Sequence, residues 1–218
     1  MYKITELFDL EHTLAADYLR GFTYPHEALK GIKNLIEDIG AALPADEYEH
    51  SREYVWIARD AQIAPTAFIG DHVIIDHGTE VRHCAFIRGS ALVGCGCVIG
   101  NSTELKNVII FDSVQVPHYN YVGDSILGYH AHMGAGAVTS NVKGDRTLVT
   151  LHDGSETMET GLKKMGAMLG DWAEIGCNSV LNPGTIIGRH AQVYPLTSVR
   201  GTVPENCIHK GREIVEKR

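Results

Sequence analysis

The sequence predicts an all-β solenoid built from short parallel strands, and two patterns carry this prediction. Large apolar residues recur at every sixth position, while small or β-branched residues stand two positions before most of them. Six is even, so these side chains point to one side of a strand, whereas a helix would turn each to a new face. A fixed repeat of this length is typical of stacked coils with one continuous core. The apolar series comprises Ile57, Ile63, Ile69, Ile75, Val81, Ile87, Val93, Ile99, Leu105 and Phe111, then Leu169, Ile175, Leu181, Ile187, Val193 and Val199.

Composition bounds the function classes. The chain of 218 residues is 44% hydrophobic and 21% charged, as in an ordinary globular protein. Its formal net charge of −8 argues against general binding to nucleic acids or membrane surfaces. The five cysteines form no Cys-x-x-Cys pair, which disfavours a zinc or redox site. No signal region or membrane span is predicted, so we expect a cytoplasmic protein.

The N-terminal part, residues 1–50, does not follow the six-residue repeat. Its apolar residues instead recur at helical spacing, over residues 7–18 and again over residues 29–39. We predict two helices joined near residues 21–25, the second ending at Gly40 because glycine commonly follows a helix C-terminus. These helices are expected to cap or brace the solenoid, whose open end would otherwise leave strand edges unpaired.

The predicted solenoid spans residues 51–204, and two irregularities interrupt it. After Phe111 the count of six breaks, and residues 116–124 step out of it; function is expected where a regular array departs from its own rule. Residues 144–164 interrupt the repeat again, with Asp153-Gly154 marking the turn of a hairpin. A tail over residues 205–218 is predicted to contain a short helix, residues 212–217.

Four segments give the chain a resemblance to a known family. They are residues 87–89, residues 100–106, the His-x-x-Tyr-x-Gly-Asp pattern that begins at His118, and the Gly-Ala-Gly-x-x-Thr-x-Asn pattern that ends at Asn141. Over about residues 60–205 the chain resembles the C-terminal acetyltransferase domain of bifunctional glucosamine-1-phosphate acetyltransferase/N-acetylglucosamine-1-phosphate uridyltransferase and of related sugar-phosphate nucleotidyltransferases. The resemblance implies a left-handed parallel β-helix of hexapeptide repeats, assembled as a homotrimer with acetyl-CoA bound between subunits.

The resemblance also implies roles for individual residues. His118 matches the general base that takes a proton from the sugar amine, a task that suits a neutral imidazole. The backbone N–H near Ala135 matches the position that stabilises the oxyanion. The substrate is implied to be an amino-sugar phosphate, with acetyl-CoA as co-substrate and no metal. The other matched residues are Arg88 and Lys106 for the sugar phosphate, Tyr121 and Asn141 for the sugar, and Cys177 and Arg212 for acetyl-CoA.

The chain departs from the family pattern at three points. His132 stands where the family often has Asn, and the predicted hairpin displaces the lysine that should follow Asn141; Lys163 or Lys164 is a candidate replacement. The sequence also lacks the glycine-rich loop of a nucleotidyltransferase domain, so uridyltransferase activity is not expected.

Three functional hypotheses follow. The first is an N-acetyltransferase acting on an amino-sugar phosphate. The second is a metalloenzyme like the γ-class carbonic anhydrases, which use the same solenoid with three histidines on zinc. The third is a non-catalytic trimeric scaffold that binds a sugar phosphate. Histidines available to the second hypothesis are His72, His77, His83, His130 and His132.

Overall fold

Successive coils of the chain stack in register, which confirms the predicted parallel β-solenoid. The computed structural model describes residues 1–217, so the last residue of the predicted tail lies outside the described part. Val55 pairs with Val73 and Val73 with Ala91, a separation of 18 residues, or three hexads, for one coil. Each coil therefore has three faces, which we name from one coil: face 1 at residues 73–75, face 2 at residues 80–81 and face 3 at residues 86–87.

The strands form three sheets, and all pairs between coils are parallel. The first sheet, of faces 1 and 3, contains Tyr48–Arg52, Val55–Ala58, Phe68–Ile75, Phe86–Val93, Glu104–Ile110, Tyr121–Leu127, Val138–Thr139, Ala167–Leu169, Val180–Leu181, Thr185–Ile187, Ser198–Val199 and Thr202–Val203. The second sheet, of face 2, contains Gln62–Ile63, Glu80–Val81, Val98–Asn101, Gln115–His118, His132–Met133, Glu174–Ile175, Gln192–Val193, Cys207–His209 and Ile214–Glu216. The third is the hairpin of Thr150–Asp153 and Glu156–Glu159.

The register break lies at a different place from the predicted one. The corner between faces 3 and 1 (the 3–1 corner) takes three residues between Ile87 and Ala91 but only two between Leu105 and Val108. Because of this shortening, Ile110 rather than Phe111 is the interior partner of Val93. The first break therefore precedes the predicted one, and of residues 116–124 only Gly123-Asp124 departs from the count of six, which loses one residue at each shortened corner.

The N-terminal segment contains five short helices instead of the two continuous helices predicted. They are the α-helices Ile4–Leu7, Ala16–Arg20 and Ile32–Ala42, and the 3-10 helices Leu10–His12 and Pro25–Gly31. The first predicted helix is broken because extended backbone at Phe8 and Thr13 lets the chain bond to the solenoid. Asp171 N–H donates to Leu7 O (3.0 Å), and Asp112 N–H donates to His12 O (3.0 Å).

This N-terminal segment covers the outer side of face 1 rather than the end of the solenoid. The helix over residues 32–42 packs on the strands of the early coils, and Tyr2 Oη accepts a hydrogen bond from Glu205 N–H (2.9 Å) near the last coil. Residues 1–42 thus form a strap along the whole solenoid. The open end is covered instead by Tyr48–Arg52, which pairs antiparallel with the first coil. Outward residues of face 1 buried under the strap are Ile74, Leu92, Ile109, Ile126, Met168 and Ile186.

Gly40 does not end the second helix, which continues to Ala42. The absence of a side chain at Gly40 matters for packing instead, because a Cβ at this position would lie 2.3 Å from the ring of Trp56. The glycine therefore allows the helix to approach the first coil closely, which is a packing role and not a terminating one.

Two features near the C-terminus complete the fold. The predicted hairpin in the insertion is confirmed, with Thr150 paired to Glu159. The predicted helix over residues 212–217 is wrong, because Ile214–Glu216 is a strand antiparallel to Cys207–His209. The adjacent β-branched Ile214 and Val215 favour a strand, and this strand covers the last edge of face 2. None of the helices in residues 1–217 is long and apolar enough to cross a membrane.

Contacts between the strap and the solenoid are expected to stabilise the fold, and this can be tested. Phe111 is fully buried and its ring centroid lies 5.2 Å from that of Phe8, so it joins the strap to the solenoid. We expect Phe111→Ala to lower the free energy of unfolding by about 3–5 kcal/mol, measured by urea denaturation. Phe68→Ala removes an aromatic ring that is 56% exposed and should cost less than about 1 kcal/mol. Equal losses would contradict the proposed packing role of Phe111.

Candidate functional site

Three of the predicted site residues occupy the same position in three successive coils. They lie at the corner between faces 2 and 3 (the 2–3 corner). Gly136 N–H donates to His118 O (3.0 Å), and Asn178 N–H donates to Ala135 O (2.8 Å). Because the coils stack in register, His118, Ala135 and Cys177 form one column along this corner.

Asn120 holds the turn of His118 against the turn of Ala135. Its side chain is 2% exposed; Oδ1 accepts from His118 N–H (3.0 Å), while Nδ2 donates to Gly134 O (2.8 Å) and Ala137 O (3.0 Å). Sequence reasoning did not identify this residue. The available signal was its place in the small-residue column, where equivalent coils carry Thr103 and Ala137.

Two groups in this column are free to meet a ligand. The His118 side chain is exposed, and no side chain within residues 1–217 hydrogen-bonds to its imidazole. The Ala135 N–H, which lies at a half-buried residue, has no acceptor in the same part of the chain, although Gly134 N–H donates to Ile175 O (2.7 Å). The corner thus presents a possible base one coil away from an unused amide donor.

The same corner continues past Cys177 towards Arg212. Cys177 is exposed and borders a groove of about 200 Å³ lined in part by Gly134, Gly176 and Pro195. A Cβ at Gly211 would lie 4.0 Å from Thr197 Oγ1, which places the turn containing the exposed Arg212 beside this corner. The two residues expected to contact acetyl-CoA therefore lie along one edge of the solenoid.

The residues expected to bind the sugar meet at the 3–1 corner, around Asp124. This carboxylate is 4% exposed and accepts hydrogen bonds from Lys106 Nζ (2.9 Å), Asn107 Nδ2 (2.9 Å) and Asn141 Nδ2 (2.5 Å). Asn141 Nδ2 also lies 3.1 Å from Tyr121 Oη, and burial raises the pKa of this phenol. Asp124, absent from the predicted site, bonds directly to two of its members, Lys106 and Asn141, and through Asn141 it is connected to Tyr121.

Arg88 reaches the same region from a bulge. Ile87 pairs with Leu105 and Gly89 with Lys106, so Arg88 is the extra residue of its corner. Its Nη1 donates to Glu104 Oε1 (2.8 Å), and both side chains are partly exposed. Both cations expected to hold a phosphate are thus paired with carboxylates in this structure.

Face 3 joins the two corners. His118 and Tyr121 are three positions apart, a distance of at most about 11 Å even when the chain is fully extended. The side chains of Arg88, Lys106, Tyr121 and Asn141 therefore lie across one narrow face from His118. Such an arrangement can bind a polar, anionic molecule and present one of its groups to a base.

The structure also shows where two of the departures from the family pattern lie, namely His132 and the displaced lysine. His132 Nδ1 lies 2.8 Å from Glu174 Oε2 on the surface of face 2. Met165 N–H donates to Asn141 O (3.0 Å), so the chain returns to Asn141 directly after the exposed Lys163 and Lys164. Either lysine thus lies near the residue that the displaced lysine would follow.

The histidines proposed for a metal site do not converge. His72 pairs with Glu37, His77 with Asp60 and His83 with Thr66, while His130 stacks on Trp172; these contacts lie at different corners or in different coils. Within residues 1–217, one group of side chains has metal-compatible spacing: Asp76, Cys95 and Asp112.

The carboxylates of this group have structural partners. Asp76 accepts hydrogen bonds from Tyr48 Oη and from His77 N–H (2.8 Å), and Asp112 accepts one from Cys95 N–H (2.8 Å). Burial and the neighbouring Asp76 raise the pKa of the Cys95 thiol to about 12. Because both carboxylates already accept hydrogen bonds from the protein, we interpret the group as part of the corner packing.

Comparisons with known proteins agree with the motifs. The family model "GMPPB C-terminal domain" matches residues 72–154. The bifunctional protein GlmU of Cyanothece sp. is 32% identical over 145 residues, which are 66% of this chain and 28% of that protein. The bifunctional sugar-1-phosphate nucleotidylyltransferase/acetyltransferase of Sulfurisphaera tokodaii is 31% identical over 141 residues, or 65% of this chain and 35% of that protein.

Among solved structures, the acetyltransferase domain of PglB from Neisseria gonorrhoeae, in complex with acetyl coenzyme A, matches with a TM-score of 0.36 and 14% identity. The match covers 84% of this chain and 64% of the PglB acetyltransferase domain. The predicted resemblance to hexapeptide-repeat acetyltransferase domains is confirmed by the sequence matches. The chain spans about a third of the length of these two curated relatives.

The cluster around Asp124 predicts a stability difference between two acidic residues. Asp124→Asn should lower the free energy of unfolding by about 1–3 kcal/mol, because an amide cannot accept from all three partly buried donors. Glu104→Gln breaks only the partly exposed pair with Arg88 and should cost less than about 1 kcal/mol. Urea denaturation of both variants measures the difference. A loss for Asp124→Asn no larger than that for Glu104→Gln would contradict the central position of Asp124.

Proposed function

We propose that this chain is a cytoplasmic, CoA-dependent N-acetyltransferase that acetylates the amine of an amino-sugar phosphate such as glucosamine-1-phosphate. The observation that supports this most is the column at the 2–3 corner, where an exposed imidazole stands one coil from an unused backbone N–H. The matches to bifunctional sugar-phosphate enzymes that include an acetyltransferase point to the same chemistry. Uridyltransferase activity is not part of the proposal, because residues 1–217 form the solenoid and its strap and no nucleotidyltransferase domain.

In the proposed reaction, His118 takes a proton from the amine as its nitrogen attacks the thioester carbon of acetyl-CoA. The new C–N bond forms, the C–S bond breaks, and the proton passes to the departing CoA sulfur. The Ala135 N–H donates to the carbonyl oxygen while this oxygen carries negative charge. An aligned base and a fixed amide donor supply the two forms of assistance that thioester aminolysis needs.

The sugar phosphate is proposed to lie across face 3, with Tyr121 and Asn141 bonded to the sugar and Arg88 and Lys106 near the phosphate. In this structure Arg88 is paired with Glu104 and Lys106 with Asp124, so a phosphate must compete with these two carboxylates. Arg88 is the more available of the two, since its ion pair is partly exposed while Asp124 is buried. A surface ion pair of this kind stabilises a protein little and exchanges readily for a dianion.

Acetyl-CoA is proposed to follow the 2–3 corner past Cys177 to Arg212, between two subunits of a homotrimer. The strap already covers face 1, whereas His118 and Cys177 at the 2–3 corner are exposed to solvent on a single chain. A second copy packed beside face 2 or face 3 would exclude water from His118. Exclusion of water strengthens the hydrogen bonds that assist the reaction.

The first test concerns His118. His118→Ala should lower kcat by about 10²–10⁴-fold, because general-base assistance is lost while the exposed side chain contributes nothing to the core. Thiol release from acetyl-CoA with glucosamine-1-phosphate measures the rate, and circular dichroism checks the fold. His83→Ala is the matched control, since His83 is also exposed and lies two coils away at the same corner.

The outcomes separate the hypotheses. Full activity of His118→Ala would show that His118 is not the general base. If calorimetry detected no acetyl-CoA binding to the unmodified protein, the non-catalytic scaffold would be favoured instead.

The second test uses the cysteines as reporters. Cys177 and Cys84 are both exposed at the 2–3 corner, but only Cys177 lies in the part of it, from Ala135 towards Arg212, that acetyl-CoA is proposed to follow. Acetyl-CoA should slow iodoacetamide alkylation of Cys177 and leave Cys84 unaffected, as measured by mass spectrometry of the peptides. The buried Cys97 should stay unmodified throughout and serves as a reference for the folded state. Equal protection of Cys84 and Cys177 would argue against a binding site confined to the Cys177 end of this corner.

A further inference from the structure

The insertion after Asn141 is fixed against the solenoid at several points. Val149 and Leu151 are 0% and 1% exposed, so the first strand of its hairpin belongs to the core. Thr202 Oγ1 donates to His152 O (2.8 Å), which ties that strand to the last coils. A Cβ at Gly201, where φ is +73°, would lie 3.1 Å from His152 O. The backbone of the insertion therefore approaches the 3–1 corner closely and holds its loop in place.

A cavity of about 670 Å³ lies between this loop and the corner. Its floor is the 3–1 corner of the last two coils, and its wall is the start of the insertion. The cavity begins beside the candidate sugar site, since Ser140 and Val142, on either side of Asn141, both line it. Its charged lining residues are Lys143, Asp145 and Arg200.

The charges of this cavity favour an anion. Arg200 is exposed and has no carboxylate partner within residues 1–217. Lys143 Nζ donates to Thr147 Oγ1 (2.6 Å) and lies 3.6 Å from Asp145. Asp145 is itself bonded to Thr147, whose hydrogen bonds lower the pKa of this carboxyl and keep it charged at neutral pH.

These groups give the cavity one net positive charge in a chain whose formal charge is −8. Arg200 contrasts with Arg88 and Lys106, which are both paired with carboxylates. A guanidinium without a carboxylate partner, at the edge of a polar cavity, matches the two-donor recognition of phosphate oxygens.

We propose that this cavity is a phosphate-binding site in which Arg200 is the principal ligand and Lys143 a second cation. The ligand is a small molecule with a phosphate or diphosphate group. Two sources share this chemistry: a distal phosphate of the acceptor, reaching past Asn141, or a separate phosphorylated molecule. The site does not depend on acetyl transfer, so it stands or falls independently of the proposed function.

The test is calorimetric titration of the full chain with inorganic pyrophosphate at low ionic strength. We expect binding that Arg200→Gln weakens at least tenfold, whereas Arg200→Lys, which keeps the charge but loses the fork, weakens it less. The matched control is Arg146→Gln: Arg146 is exposed in the same insertion but does not line the cavity. Unchanged thermal unfolding of each variant establishes that the fold is intact.

Three results would overturn the site: no pyrophosphate binding, equal binding by Arg200→Gln and the unmodified chain, or loss of binding in Arg88→Gln instead. Kinetics then distinguish the two sources. If the acceptor's phosphate occupies the cavity, Arg200→Gln raises KM for the phosphorylated amino sugar and leaves KM for glucosamine unchanged. If a separate molecule occupies it, neither KM changes while pyrophosphate binding is still lost. If the chain had no acetyltransferase activity, the proposed function would be refuted. Pyrophosphate titration would still show whether the cavity binds phosphate.

Discussion

The register of coil on coil is the constraint from which the rest of this structure follows. Each strand bonds to its equivalents in the coils before and after it, so a residue type placed at one position recurs as a column along the solenoid. Columns of apolar side chains make the interior, and a column of corner positions brings His118, Ala135 and Cys177 together although 59 residues separate the first from the last. The insertion between Ala135 and Cys177 leaves this alignment undisturbed, because it leaves and re-enters at a different corner.

Departures from the register concentrate at the 3–1 corner. This corner loses a residue at Lys106-Asn107 and again at Gly123-Asp124, and one coil later it opens into the insertion. Asn107 and Asp124 adopt positive φ values of 55° and 49°, which Asn and Asp tolerate better than most residues. The tight turns direct Asn107 and Asp124 towards each other. The polar cluster is thus a product of the shortened coils.

The interior was predictable from the sequence because one period, six, describes it. The N-terminal segment was expected to cap or brace the solenoid, but its place along face 1 was missed because the signal has a different period: Ile74 and Leu92 stand 18 residues apart on the outer side of that face. An apolar residue on the outside of every coil at one face predicts that something covers that face. The C-terminal strand was misassigned because six residues carry too little periodicity to separate a helix from a strand.

The candidate site divides in the same way. Motif spacing identified residues that the fold brings to two neighbouring corners, since stacking converts sequence spacing into proximity. The pairing of Lys106 with Asp124 was not predictable, because it requires the shortened corner and the positive φ of Asp124. Asn120 was missed for another reason: its polar side chain occupies a column that elsewhere holds small residues, and only the hydrogen bonds reveal its use.

The strap also changes how this molecule resists opening. In a simple stack each coil touches only its neighbours, so the terminal coils can fray one at a time. Here the N-terminal ammonium contacts Asp153 (3.1 Å) and Glu156 (3.0 Å) beside the late coils, while Glu37, further along the same segment, contacts His72 (2.9 Å) in an early one. Detaching one coil therefore also disturbs a segment that is bound to the others. We therefore expect a chain with nearest-neighbour architecture to unfold in one cooperative transition, as a globular domain does.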